Sequence, residues 1–304
     1  MLSEKTVSVK KLNTLCADDP SVFVEWSEDR YQEQVRAAAS QILAQKKRIV
    51  LIAGPSSSGK TTTSFKIQQE LSKLGVSSHV INMDDFFVDA STLPLRSDGK
   101  PDIENIVALD VEQIGKCLQD ILEKGRTKTP QFDFVTHKRK QKWVNCILHH
   151  NEVVLMEGIH ALNPQIYHNL DQTKIFKIFV YLGANFVDEN DETVLSSRDL
   201  RLLRRMARDE RERSVQIEET LEVWDEVIKG EETFILPYAN NADFFLNTLH
   251  YFEPLVYTAI LYKKFISQTN PIFEKYKNIL ENFSFLPTTY LPKDSMVREF
   301  VGQD

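Results

Sequence analysis

The chain has 304 residues, 42% of them hydrophobic and 27% charged, with 37 Lys and Arg against 44 Asp and Glu for a net charge of −7. This is ordinary globular usage: it excludes wholesale disorder and a general nucleic-acid coat, and suits one large α/β domain or two small ones. Cys16, Cys117 and Cys146 lie far apart with no C-x-x-C pair, which argues against a disulfide framework or zinc ribbon and for reduced thiols in a cytoplasm.

Met1 to Leu15 contains no apolar signal-peptide core, and no run approaches the roughly 18 apolar residues of a membrane helix. Residues 1–47 read as a small lead-in with a helix at Arg30–Gln45. Arg48–Gly54 reads as a buried strand entering a glycine turn, and Thr61–Leu74 as a helix stopped by Gly75. Ser77–Asp84 is a second strand, Val111–Lys124 a helix closed by Gly125, and Glu152–Gly158 a third strand. Lys174–Leu182 and Ala242–Thr248 complete a set of five. Continuous apolar strands separated by helices predict a parallel five-stranded sheet covered on both faces, with ligands beyond the carboxyl ends of its strands. Phe132–Leu148 alternates as a β-hairpin or flap, within a main domain of residues 48–260. Arg198–Arg213 is an arginine-dense helix within a lid at about 194–230. Residues 261–304 form a helical tail with a Pro-punctuated loop.

Gly54-Pro55-Ser56-Ser57-Ser58-Gly59-Lys60-Thr61 matches G-x-x-x-x-G-K-[ST] between a strand and a helix. Its glycines let the backbone N–H groups of Gly54, Ser56, Ser57, Ser58, Gly59, Lys60, Thr61 and Thr62 curl round a phosphate at a helix amino terminus. Lys60 is placed to neutralise the β and γ phosphates of ATP, and the Thr61 hydroxyl to hold Mg²⁺. Glu157, ending the third strand, is the candidate second Mg²⁺ ligand; alone it could equally be an exposed strand end. No N-K-x-D guanine-reading motif accompanies the loop, which leaves a kinase ahead of a GTPase. A kinase needs a carboxylate base in a dry pocket. Asp84 and Asp85 end the second strand beside the expected loop, and strand alternation lets only one face the site. A helix cap is the bland alternative. Arg201, Arg204, Arg205 and Arg208 share one helix face, where like charges repel unless an anion binds between them. The alternative is a solvated helix balanced by Asp199, Asp209, Glu210 and Glu212.

The blocks GPSSSGKT, NMDDFF, PQFDFVTHKR, VVLMEGIH and DLRLLRRMARD, in this order, resemble the uridine kinase family of P-loop kinases, relatives of phosphoribulokinase. TLEVWDEVIKGEETFILP, ADFFLNTL and SMVREFVG resemble later blocks of a bacterial uridine kinase-like nucleoside kinase branch, so the likeness spans about residues 25–304. The resemblance implies Asp84 as general base for a nucleoside 5′-hydroxyl and Glu104 as ribose-binding carboxylate, although Ile103-Glu104 replaces the usual Phe-Asp. It implies Phe132 and Phe134 stacking on the base and His137 reading a pyrimidine edge. On spacing alone, Phe132 and Phe134 would be hairpin core and His137 a surface residue. The arginines become a lid over ATP and acceptor, with Arg204 and Arg208 acting on the transferring phosphoryl group and Arg201 and Arg205 on the nucleotide; Val194 replaces a common arginine upstream. The expected activity is ATP-dependent phosphorylation of uridine or cytidine by a cytoplasmic protein, with a homo-oligomer left open and no nucleic acid or membrane partner. Two rivals stay open: a kinase for a purine nucleoside or sugar phosphate, and a nucleotide-dependent regulatory or RNA-associated module.

Overall fold

A strand with apolar residues on both sides must be covered on both sides, and the central strands of this protein are. The computed structural model describes residues 5–95, 99, 101–134, 136, 138–268 and 270–303. The chain begins with β1 (Lys5–Ser8), α1 (Val9–Asp18), α2 (Pro20–Ala44), β2 (Ile49–Ala53) and α3 (Lys60–Lys73). Next come β3 (Ser78–Asn82), α4 (Val111–Lys124), β4 (Arg126–Thr129), β5 (Phe132–Asp133), β6 (Lys138–Arg139), β7 (Val144–Ile147) and β8 (Val153–Glu157). They are followed by α5 (Pro164–Tyr167), β9 (Ile175–Tyr181), β10 (Ala184–Val187), β11 (Thr193–Leu195), α6 (Ser197–Arg213), α7 (Ile217–Glu222) and α8 (Trp224–Phe234). The last elements are β12 (Phe244–Asn247), α9 (Glu253–Ile266), α10 (Pro271–Leu280) and α11 (Arg298–Val301).

The main sheet has the order β12-β9-β2-β8-β3, and every pairing is parallel, as the sequence predicts. Side chains alternate between its faces. Val50 and Ile52 join one buried cluster with Leu155, Phe176 and Ile178, whereas Ile49, Leu51 and Ala53 join another with Val154 and Met156. The first cluster also holds Phe23, Tyr31, Val35 and Ile42 of α2, Phe273 of α10 and Phe300 of α11, so both terminal segments cover the same face of the sheet. Cys117 of α4 and Cys146 of β7 belong to the second cluster. The three cysteines are free and buried.

Register sets the site. Glu157 is paired with Ile52 on one side and Asn82 on the other. The segments that follow β2, β3 and β8 therefore leave the sheet side by side at its carboxyl edge, the usual ligand edge of such a sheet.

Three details differ from the sequence reading. Helix α2 starts ten residues earlier than expected, because Asp19 accepts from the Ser21 and Val22 amides (3.0 and 3.1 Å) and Pro20 fits the first turn. Strand β3 stops at Asn82, whose side chain accepts from the Asp84 amide (2.8 Å) and turns the chain into a 3₁₀ turn over Met83–Phe86. The flap is two stacked hairpins: β4 pairs with β7 at its base and β5 with β6 at its tip. Outside the main sheet, β1 runs parallel to β10, which pairs antiparallel with β11. No helix among the described residues is long and apolar enough to cross a membrane.

Candidate active site

The phosphate loop joins β2 to α3. A Cβ at Gly54 would fall 2.1 Å from the Val180 carbonyl oxygen, so only glycine lets the loop leave between β2 and β9. Ser57 (φ 58°) and Gly59 (φ 86°) adopt the left-handed conformation that curls the chain back. The Ser57 and Ser58 hydroxyls are buried and have no hydrogen-bond partner. Such groups cost free energy unless something fills the cradle, and phosphate oxygens are the acceptors that would suit them. Lys60 Nζ donates to the Pro55 carbonyl at 3.2 Å. Burial pushes its pKa down, against the pull of Glu157, Asp84 and Glu299.

Thr61 Oγ1 donates to Glu157 Oε1 at 3.1 Å, so the two expected Mg²⁺ ligands meet across the sheet edge. Burial holds the Glu157 carboxyl at about 7, with Lys60 pulling it down and Asp84 pushing it up. A divalent cation between them would favour the ionised form. Among the described residues no group of three or more His, Cys, Asp or Glu could hold a metal ion. Mg²⁺ bound through one hydroxyl, one carboxylate and phosphate oxygens needs no such group.

The two aspartates divide. Asp84 is half-buried, and burial raises its pKa while Lys60 and Arg213 lower it. Asp85 instead accepts from the Phe132 amide at 3.2 Å and ties the flap to the 3₁₀ turn. Arg139, from the other flap strand, donates to the Phe86 and Phe87 carbonyls (both 3.1 Å) and to Asp110 (2.9 Å). This anchoring brings Phe87, Phe132 and Phe134 together, with ring centroids 5.2 to 6.3 Å apart. Phe132 is buried, whereas Phe134 is 55% exposed. His137 lies outside the described residues. Glu104 is packed so closely against α8 that a Cβ at Gly230 would lie 2.8 Å from its own Cβ. Burial raises its pKa, and Arg205, Lys60 and Asp84 all act on it, so it belongs to the same charge cluster.

The arginine helix calls for a correction. Arg204 was expected to face ATP and acceptor, but it is completely buried. It donates to Glu253 (2.9 and 2.6 Å), the Ser57 carbonyl (3.1 Å) and Thr248 Oγ1 and O (3.1 and 2.9 Å), and lies 4.9 Å from the Phe300 ring centroid. Arg201 is buried too, donating to Glu231 (2.7 Å) and the Ser56 carbonyl (3.2 Å). Carboxylates of α8 and α9 thus supply the counter-charges that the stripe was expected to take from a ligand, and these two arginines brace the loop from behind. Arg205 and Arg208 remain partly exposed. Arg205 donates to Ser56 Oγ (3.0 Å), and both pair with Asp209.

Two neighbours went unnoticed in the sequence. Thr62, expected to contact nucleotide, gives its amide (3.2 Å) and hydroxyl (2.6 Å) to Glu299 of α11. His160, three residues after Glu157, is buried, and burial lowers its pKa to about 4 against the opposing pull of backbone groups of Glu104 and Phe234. The EGIH block carried His160 in plain view, but no spacing rule assigns it a partner.

The sequence pattern of the Phosphoribulokinase / Uridine kinase family matches residues 49–251. The chain is 29% identical over 196 residues to a uridine kinase of Ligilactobacillus salivarius, which covers 64% of this chain and 82% of that one. It is 29% identical over 203 residues to uridine-cytidine kinase 2-B of Danio rerio, with coverage of 64% and 70%. Among solved structures it is similar to a possible uridine kinase from Bacillus stearothermophilus, with a TM-score of 0.47, 18% identity and coverage of 71% and 98%.

Proposed function

The chain belongs to the phosphoribulokinase/uridine kinase family of P-loop kinases, and from that premise we propose that it phosphorylates the 5′-hydroxyl of uridine or cytidine with ATP. The observation that carries this reading is the position of Asp84. It is a half-buried carboxylate in the field of Lys60, next to the Thr61–Glu157 pair and on the same turn as the anchored aromatic flap. The uridine kinases among its relatives support the acceptor class.

In this reading the acceptor lies between the flap and the 3₁₀ turn, with Phe132 and Phe134 against the base and Glu104 on the ribose. Asp84 accepts the proton of the 5′-hydroxyl as its oxygen bonds to the γ-phosphorus. The bond from that phosphorus to the bridging oxygen of ADP breaks. Burial raises the basicity of Asp84 toward the range useful for proton transfer. Lys60 and the loop amides stabilise charge on the transferring group, and Arg205 and Arg208 close over it. Mg²⁺ bound at Thr61 and Glu157 would neutralise phosphate-oxygen charge. His137 would hydrogen-bond the O4 or N4 edge of the pyrimidine.

The test is ADP release from Mg-ATP with uridine, cytidine, inosine, adenosine and a panel of sugar phosphates. Acceptor-dependent ADP release confined to the pyrimidine nucleosides is expected. Turnover only with another alcohol would move the acceptor, and ATP binding without acceptor-dependent turnover would favour a regulatory module. Replacing His137 by Gly should lower kcat/KM for uridine and cytidine about 5- to 150-fold and spare ATP binding, as expected when a hydrogen bond to the substrate is lost.

A further inference from the structure

Residues 293–303 form a strap across the start of α3, outside the span matched by the family pattern. Its Met296, Val297 and Phe300 side chains are fully buried. Arg298 donates to the carbonyls of Thr288, Leu291, Pro292 and Gly302 at 2.9 to 3.3 Å. Arg211 of α6 donates to the carbonyls of Glu299 (3.2 Å) and Phe300 (2.9 Å). Met296 also closes on the phosphate loop, since a Cβ at Gly59 would lie 2.9 Å from its sulfur. The strap is therefore fixed from both sides, and this fixes where the Glu299 side chain points.

Glu299 Oε2 accepts from the Thr62 amide (3.2 Å) and the Thr62 hydroxyl (2.6 Å). An amide in the first turn of a helix has no intrahelical partner, and in a phosphate loop it is offered to phosphate. Here a carboxylate of the chain itself takes it. The negative charge of Glu299 reaches the catalytic cluster, where it acts on both Lys60 and Glu157. Thr62, Phe65, Lys66 and Gln69 of the same helix face, together with Arg211 and the strap, line a cavity of about 460 Å³. The Thr62 contact thus lies on the wall of this cavity, one residue past the phosphate loop.

The geometry points to Glu299 as an internal anion that occupies a phosphate seat of the donor site and has to be displaced when nucleotide binds. It is an affinity-determining residue for the donor, and this assignment rests on the phosphate loop being the ATP site. Two anions cannot share the Thr62 donors, so part of the free energy of nucleotide binding is spent in moving Glu299 aside. Neutralising the carboxylate removes that competition and also the repulsion between it and a phosphate.

The test is the Kd of Mg-ADP, by calorimetry, for the full chain and for its Glu299→Gln, Glu299→Ala and Lys60→Ala variants, with unliganded melting temperatures alongside. Glu299→Gln keeps the size of the side chain, and Glu299→Ala removes the contact outright. Both should bind Mg-ADP about tenfold more tightly than the unaltered chain (about 1.4 kcal/mol), while melting slightly lower without ligand. KM for ATP should fall more than kcat changes. Unchanged or weaker binding by both variants would overturn the assignment, and lower melting with unchanged Kd would make the contact a purely structural one. A Kd that responds to Lys60→Ala but not to Glu299 leaves the ATP-site reading standing and removes this one. Absence of Mg-ADP binding by every form would remove both.

Discussion

Replacing Arg204 should cost the protein its stability before it costs any chemistry. The guanidinium makes five hydrogen bonds, two of them to Glu253, in a place closed to water. Arg204→Met would leave the Glu253 carboxylate buried beside Tyr257, whose hydroxyl donates to it at 3.2 Å, with its main counter-charge gone. Breaking one side of such a pair typically costs about 3–5 kcal/mol. For a chain of this size that corresponds to a melting temperature lower by roughly 10 °C. The Ser57 carbonyl would also lose its donor, whereas the Thr248 carbonyl keeps His250 Nδ1 at 3.0 Å. Urea unfolding of the unliganded protein, Arg204→Met, Glu253→Met and the double variant measures this as a double-mutant cycle. The double variant should recover a good part of the loss, because both charges leave together, but not all of it, because the Ser57 carbonyl stays unpaired. A single-variant loss below about 1 kcal/mol, or a cycle coupling below about 0.5 kcal/mol, would refute the reasoning and return Arg204 to the ligand face.

Asp84→Asn should abolish most phosphoryl transfer while keeping ATP binding, whereas Asp85→Asn should mainly loosen the flap and raise KM for the acceptor; steady-state kinetics of both variants would expose a reversed ranking. Phe134→Ala should raise the acceptor KM about tenfold with a change in stability near zero, as the ring is more than half exposed; an unchanged KM would remove the ring from the base pocket. The Glu157 carboxyl stays protonated in the folded, metal-free protein up to about pH 7, while in the unfolded chain it ionises near its ordinary 4.5. The folded state therefore holds the extra proton across that window, and stability falls as pH rises through it. Glu157→Gln, uncharged throughout, should match the unaltered protein near pH 4 and exceed it by up to ~3 kcal/mol at pH 8. A stability difference that does not vary with pH would contradict this, and Mg²⁺ should abolish the penalty only where Glu157 is present.

The parts of the molecule legible in the sequence are those written locally. Strands β2 and β8 are buried, almost wholly apolar runs, and α4 carries its own start and stop: Asp110 accepts from the Gln113 amide at 3.0 Å, and Gly125 takes φ 63°. The phosphate loop is a contiguous motif, and Thr61 and Glu157 follow from their places after two neighbouring strands. What escaped is what depends on partners remote in sequence. Helical spacing put Arg204 on the correct stripe, but nothing near it announces Glu253, 49 residues away, which turns that stripe inward. Thr62 and Glu299 are 237 residues apart. The flap base was missed because β4 reads Arg-Thr-Lys-Thr, a polar run that becomes a strand only through its pairing with β7. The early start of α2 was hidden by Glu25, Glu28 and Asp29, charged residues that lie on the helix yet break an apolar reading of it.

The position of the strap bears on how the protein comes to life on the ribosome. Every strand of the main sheet and the whole phosphate loop are synthesised before Glu299, Met296 and Phe300 leave the tunnel. During that interval the Thr62 amide and hydroxyl have no carboxylate upon them, and Arg204 has no Phe300 ring beside it. A nascent chain would thus hold its nucleotide cradle uncovered until the final turn docks. Cellular nucleotide could enter then as a folding ligand, before the strap begins to compete with it for the seat.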